Sequence, residues 1–160
     1  MSAHEFSFPG RDGGTILMAD YKGKAVLVVN TASACGYTPQ YVGLQRLWQT
    51  HRDGDLVVLG VPSNDFGAQE PGSEAEIKTF CESRFGVDFP MTAKQTVIGG
   101  EAHPFYRWIV DEVGEDAAPR WNFHKYLIGP DGELAGLWPS DVEPDDPRIL
   151  EAKDEALSAR

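Results

Sequence analysis

Cysteine is scarce in this chain. There are two, Cys35 and Cys81, too few for the disulfide framework of a small secreted protein. The N-terminus MSAHEFSFPG lacks a basic segment followed by an apolar one, so it does not read as a secretory signal. Both cysteines are therefore expected to be free thiols in a reducing, cytoplasmic setting. No apolar run approaches the roughly 20 residues a membrane-spanning helix needs, which excludes stable helical insertion. Basic residues are also few, 14 Lys and Arg against 25 Asp and Glu, a net charge of -11. That balance argues against a nucleic-acid binder and against docking on anionic lipid. The histidines His4, His51, His103 and His124 show no metal-site spacing, and no phosphate loop, dinucleotide fingerprint or hydrolase elbow is present. No metal or prosthetic cofactor is expected.

What is there reads as one folded α/β domain spanning residues 1–160, long enough to bury a core. EFSFP and TILMAD flank the Gly-rich GRDGG and predict an N-terminal β-hairpin. The apolar, β-branched runs KAVLVVNTA (24–32) and DLVVLGVP (55–62) predict central strands covered on both faces. Between them Thr38 predicts an N-cap with Pro39 at the first helical position, and Val42, Leu44, Leu47 and Trp48 follow at helical spacing. Ser73 and Glu76 form a capping-box pattern for a helix reaching about Arg84. PMTAKQTVI (90–98) predicts a short strand and HPFYRWIVDEVG a helix with Phe105, Trp108 and Ile109 on one face. FHKYLIGPDGELAGLW predicts a hairpin with a Pro-Asp-Gly turn, and Asp146 with Pro147 starts a last helix. Strands alternating with helices, then a closing hairpin and helix, imply a mixed sheet with helices on both sides, compatible with a thioredoxin-like fold.

The chemistry centres on NTASACGYTPQY, residues 30–41. Cys35 lies in a strand-to-helix loop, where unpaired backbone N–H groups and the helix dipole favour the thiolate, the form that attacks peroxides and disulfides. The small neighbours Ala32, Ser33, Ala34 and Gly36 leave the sulfur approachable. The competing reading is a small, buried, inert cysteine. Thr38 occupies the second position of a Cys-x-x-Cys pattern, so the tight disulfide of a general oxidoreductase cannot form. A lone reactive thiol is instead expected to oxidise to a sulfenic acid that a second thiol reverses. Gln69 in FGAQEPG and the pair Trp121–Asn122 in PRWNFHK are candidate uncharged donors to a peroxide oxygen.

Four stretches, VNTASACGYTPQY, GVPSNDFGAQEPGS, FGVDFPM and WNFHKYLIGPDGE, resemble in order and spacing the glutathione peroxidase family of thiol and selenol peroxidases. The resemblance runs from about residue 4 to about residue 157. It implies a thioredoxin-like fold, a central mixed β-sheet flanked by helices, with an N-terminal β-hairpin and an inserted helix. It places Cys35 where the family has its peroxidatic cysteine or selenocysteine, and Gln69, Trp121 and Asn122 on the rest of the catalytic tetrad. The implied activity is reduction of hydrogen peroxide and organic or lipid hydroperoxides, with thioredoxin or glutathione as reductant. The short GEDAAPR segment resembles members that lack the tetramer-building loop, which implies a monomer or weak dimer and tolerance of bulkier hydroperoxides. The rival from another class is a non-catalytic peroxide sensor that passes a disulfide from Cys35 to a partner protein.

The chain departs from the family pattern in three ways. Ser63 and Asp65 stand where many relatives have Cys and Gln, and Asp65 is expected to be a solvated loop carboxylate. His124 replaces a frequent acidic residue, with little catalytic consequence expected. Relatives that use thioredoxin carry a resolving cysteine on the helix before the Phe-Pro motif. Cys81 comes one position early, with Glu82 in the usual place, and a shift of one residue is a rotation of about 100°. Cys81 also groups with Ile77, Phe80 and Phe85 on the apolar face, so a structural and a resolving role both stay open.

Overall fold

The computed structural model describes residues 2–159; Met1 and Arg160, the ends of the expected domain, lie outside the described residues. The chain opens with a short hairpin, β1 (Ser7–Pro9) antiparallel to β2 (Thr15–Leu17). β3 (Ala25–Thr31), α1 (Gln40–His51) and β4 (Leu56–Pro62) follow as a right-sized crossover unit, with β3 and β4 parallel. α2 (Glu74–Phe85) and α3 (Pro104–Val113) precede the antiparallel pair β5 (Lys125–Ile128) and β6 (Leu134–Trp138), and α4 (Pro147–Ser158) ends the chain. The main sheet runs β4-β3-β5-β6, with β5 antiparallel to β3. This mixed sheet with helices on both sides is the thioredoxin-like arrangement that the sequence implies.

All seven residues of β3 and all seven of β4 are buried, as continuous apolar strands must be when both faces are covered. Side-chain alternation then divides β3 between two cores. Leu27 and Val29 join Tyr41, Leu44, Ile77, Cys81 and Ile149 on one face; Val26 and Val28 join Phe8, Phe105, Trp108 and Ile109 on the other. Each fully buried aliphatic or aromatic side chain of this kind contributes about 1.5–3 kcal/mol. The Ser73–Glu76 capping box forms, and Gly86 closes α2 in the left-handed conformation, where a glycine carries no Cβ penalty. Asp146 accepts the Arg148 N–H to start α4.

Residues 90–98 depart from the expected strand. Only isolated bridges form, Met91 beside Gly60 and Thr92 beside Gly10. Pro90 offers no N–H, so the segment runs along the edge of β4 as a strap, with Thr92 donating to the Gly60 carbonyl at 2.9 Å and Gln95 to that of Pro62 at 2.8 Å. Among the described residues, no helix is long and apolar enough to cross a membrane.

Candidate active site

Cys35 sits in the loop between β3 and α1. Thr38 does not cap α1 as expected; α1 begins at Gln40, and its N-cap position is Pro39, without a side-chain cap. The Thr38 hydroxyl folds back on the loop instead, accepting the Cys35 N–H at 2.9 Å and donating to the Ala32 carbonyl at 2.8 Å. Consecutive turns, Thr38 N–H to Cys35 O and Tyr41 N–H to Thr38 O, wind the loop into the helix. This geometry aims the Tyr37 backbone N–H at Cys35 Sγ, 3.3 Å away. The sulfur therefore faces an oriented main-chain donor. Cys35 is 9% exposed and Cys81 is 0% exposed, so only the former reaches the surface at all.

The loop carrying Gln69 docks on the Cys35 loop through the Ala34 N–H and the Gln69 carbonyl, 3.1 Å apart. It turns through two left-handed residues, Gly67 (φ 66°) and Ala68 (φ 51°). A Cβ on Gly67 would stand 3.0 Å from Trp121 Cη2 and 3.4 Å from Gln69 Cγ, so glycine is what lets these side chains close up. Asn122, fully buried, donates from Nδ2 to Gln69 Oε1 at 2.9 Å. That bond fixes the Gln69 amide with its oxygen inward and its Nε2 as the outward donor. Trp121 lies half-buried against Phe66, ring centres 5.8 Å apart, and its carbonyl accepts Asn30 Nδ2 at 3.0 Å. The structure thus brings Gln69, Trp121 and Asn122 together and ties their loop to the Cys35 loop.

Asp65 is not a solvated carboxylate. Its Oδ2 accepts the backbone N–H groups of Val97 (2.6 Å) and Ile98 (3.3 Å), so it pins the strap that leads into α3. Ser63, also buried, accepts the Asp65 N–H at 3.3 Å. Glu70 is almost fully buried next to Ser33, and burial pushes its carboxyl pKa up. Cys81 packs in the core between α2 and Tyr41, and burial raises its thiol pKa. His124 is buried with both ring nitrogens unpartnered; burial first, then the charges of Lys125 and Arg120, push its pKa down to about 4.

Two residues at the site escaped the sequence reading. Asn30, the last-but-one residue of β3, orients Trp121 from below. Lys125 is fully buried at the start of β5, with its Nζ on two backbone carbonyls. A polar residue at the end of an apolar run was the available signal in each case. Among the described residues, no group of three or more His, Cys, Asp or Glu is arranged to hold a metal. A cavity of about 750 Å³ lies between α3 and residues 97–102, and none of the candidate residues line it.

A thioredoxin-like sheet with one surface-reaching thiol, in a loop docked to amide and indole donors, defines the class of thiol peroxidases. The comparison with known proteins agrees. A family model described as glutathione peroxidase matches residues 3–110, and the chain belongs to the glutathione peroxidase family. It is 43% identical over 148 residues to a glutathione peroxidase of Lactococcus lactis, covering 91% of this chain and 94% of that one. It is 42% identical over 149 residues to a hydroperoxy fatty acid reductase of Synechocystis, covering 88% of each. The crystal structure of Trgpx in apo form superposes with a TM-score of 0.78 at 37% identity, covering 99% of this chain and 97% of that chain. The protein is a thiol peroxidase, taking a peroxide as oxidant and a thiol as reducing co-substrate.

Proposed function

We propose that Cys35 is the peroxidatic thiol and that Gln69, Trp121 and Asn122 bind the peroxide against it. The observation that carries this reading is the pair of contacts joining the loops, Ala34 N–H to Gln69 O and Asn122 Nδ2 to Gln69 Oε1. In the first step the Cys35 thiolate attacks the distal oxygen of ROOH. The S–O bond forms, the O–O bond breaks, and the leaving alkoxide takes a proton to become ROH. Gln69 Nε2 and the Trp121 indole N–H are available to donate to the oxygen on which charge develops, where fixed donors act most strongly. Cys35 is left as a sulfenic acid. A reducing thiol R′SH then forms a mixed disulfide with Cys35 and releases water. A second thiol displaces Cys35 and carries away R′SSR′.

The burial of Cys81 and its raised pKa support direct attack by an external thiol, with Cys81 a core residue. A Cys35–Cys81 disulfide would require α2 to open, against its capping box and its Gly86 cap. Hydrogen peroxide and organic hydroperoxides, lipid hydroperoxides included, are the substrates we infer; the likeness to a hydroperoxy fatty acid reductase supports this. We read residues 1–160 as one catalytic domain, acting in the cytoplasm as a monomer or weak dimer, with glutathione or thioredoxin as reductant.

The test follows peroxide consumption in the wild type and in Cys35→Ser, with mass spectrometry after one equivalent of peroxide. Cys35→Ser should abolish turnover, and wild type should hold a sulfenic acid or its mixed disulfide on Cys35. Substantial activity in Cys35→Ser would sink the assignment. A Cys35–Cys81 disulfide would restore a resolving role for Cys81, and a single turnover with either reductant would point to a sensor that relays a disulfide.

A further inference from the structure

Lys125 is the least expected side chain near the site. It occupies a central strand, is 0% exposed, and among the described residues forms no ion pair. A buried ammonium is costly unless its donors are used. Here they are: Nζ donates to the Phe123 carbonyl at 2.7 Å and to the Ser140 carbonyl at 3.3 Å. Phe123 follows Asn122 directly and is held at φ 66°, a region that non-glycine residues avoid. The same turn is gripped from β3 by Asn30, whose carbonyl accepts the Phe123 N–H at 2.6 Å and whose amide donates to Trp121 O at 3.0 Å. The Ser140 carbonyl also accepts Gln40 Nε2 at 2.7 Å, and Gln40 is the first residue of α1. A continuous line therefore runs from α1, which leads out of the Cys35 loop, through Ser140 and Lys125 to the turn that carries Trp121 and Asn122.

We propose that Lys125 is a positioning residue for the peroxide step: its ammonium, bridging the Phe123 and Ser140 carbonyls, holds the Trp121–Asn122 turn in register with the Cys35 loop. The inference rests on the assignment of Cys35, Trp121 and Asn122 above. An apolar side chain of the same length would fill the space, but it would leave the buried Phe123 carbonyl without this donor, cut its link to Ser140, and leave the left-handed turn held from one side only. When the turn relaxes, Asn122 Nδ2 moves off Gln69 Oε1, and the donors lose their aim before the thiol itself changes. Burial pushes the Lys125 pKa down to about 7, while Glu143 and Asp141, from the loop after β6, favour the ammonium form. His124 beside it is uncharged above about 4, and Gln40 and Asn30 are neutral.

The experiment compares two reactions of Cys35, oxidation by hydrogen peroxide and alkylation by iodoacetamide, each followed on the Cys35 peptide. Both consume the same thiolate, but only the first uses the donors, so the ratio of rate constants reports their aim. Lys125→Met should lower that ratio by about tenfold or more. Combined with Asn122→Ala it should lower it no further than Asn122→Ala alone, because both act through one turn. A ratio within about twofold of wild type in Lys125→Met, or losses that multiply in the double variant, overturns the proposal. If Asn122→Ala itself leaves the ratio unchanged, the site assignment falls and the proposal with it. Should Lys125→Met fail to fold, Lys125→Gln decides, because its shorter side chain cannot reach both the Phe123 and Ser140 carbonyls. A several-fold fall in the ratio supports the role; a ratio within about twofold of wild type overturns it.

Discussion

His124 illustrates how a single buried base couples this fold to pH. Its ring is 3% exposed, lies tilted against that of Tyr126 with centres 4.9 Å apart, and among the described residues finds no hydrogen-bond partner for either nitrogen. The folded pKa of about 4 lies below the ordinary value of 6.5. Between those values the unfolded chain binds the proton and the folded chain does not, so stability is lost as pH falls through that window. The full shift corresponds to about 3 kcal/mol. Urea unfolding at about pH 7 and about pH 4.5 should therefore show a smaller acid loss in His124→Leu than in wild type. Equal losses in the two proteins would remove His124 as the cause. Residue identity made part of the candidate site readable at this scale: Cys35, Gln69, Trp121 and Asn122 are chemically distinctive and sit in loops. The roles of Asn30 and Lys125 were not readable, because an apolar run says nothing about where the polar end of a buried side chain is satisfied.

At the scale of elements, the loop of residues 66–69 is the joint on which the site depends. Gly67 at φ 66° lies where a Cβ would press within 3.0 Å of Trp121 and touch Gln69 at 3.4 Å. Gly67→Ala should cost about 1 kcal/mol in stability from the backbone alone. By displacing both donors it should also slow Cys35 oxidation by between about tenfold and about a hundredfold. A Gly67→Ala protein that reacts with peroxide at the wild-type rate would show that this close packing has no part in the chemistry. The strands, the capped helices and the hairpins followed from periodicity and caps. Two local readings did not hold, for different reasons. Thr38 carries a hydroxyl that can cap a helix or close the preceding turn, and only the path of the chain decides between them. Residues 90–98 are β-like in composition, but Pro90 and a single line of contacts with β4 leave a strap without a ladder. Asp65 was misjudged in the same way, since its two backbone partners lie more than thirty residues ahead.

The whole molecule carries a net charge of -11, and this bears unequally on peroxide and on glutathione, one of the two reductants proposed above. Hydrogen peroxide is neutral, so its reaction with Cys35 should not respond to salt. Glutathione is an anion, and its approach should be hindered at low ionic strength and quicken as salt shortens the Debye length towards about 10 Å. Stopped-flow rates at about 20 mM and about 200 mM NaCl, with a neutral thiol as control, test this. A glutathione rate indifferent to salt would mean that the local field at the site opposes the global one. The entombment of Cys81 has a further outcome, measured over the lifetime of the enzyme. On the proposed reading, in which Cys35 is the peroxidatic thiol and Cys81 a core residue, the sulfenic acid has no neighbouring thiol to trap it and is exposed to a second peroxide, which converts it to the irreversible sulfinic acid. The number of turnovers before inactivation is then set outside the protein, by the ratio of reductant to peroxide. Lowering the reducing thiol at fixed peroxide should shorten that working life in proportion.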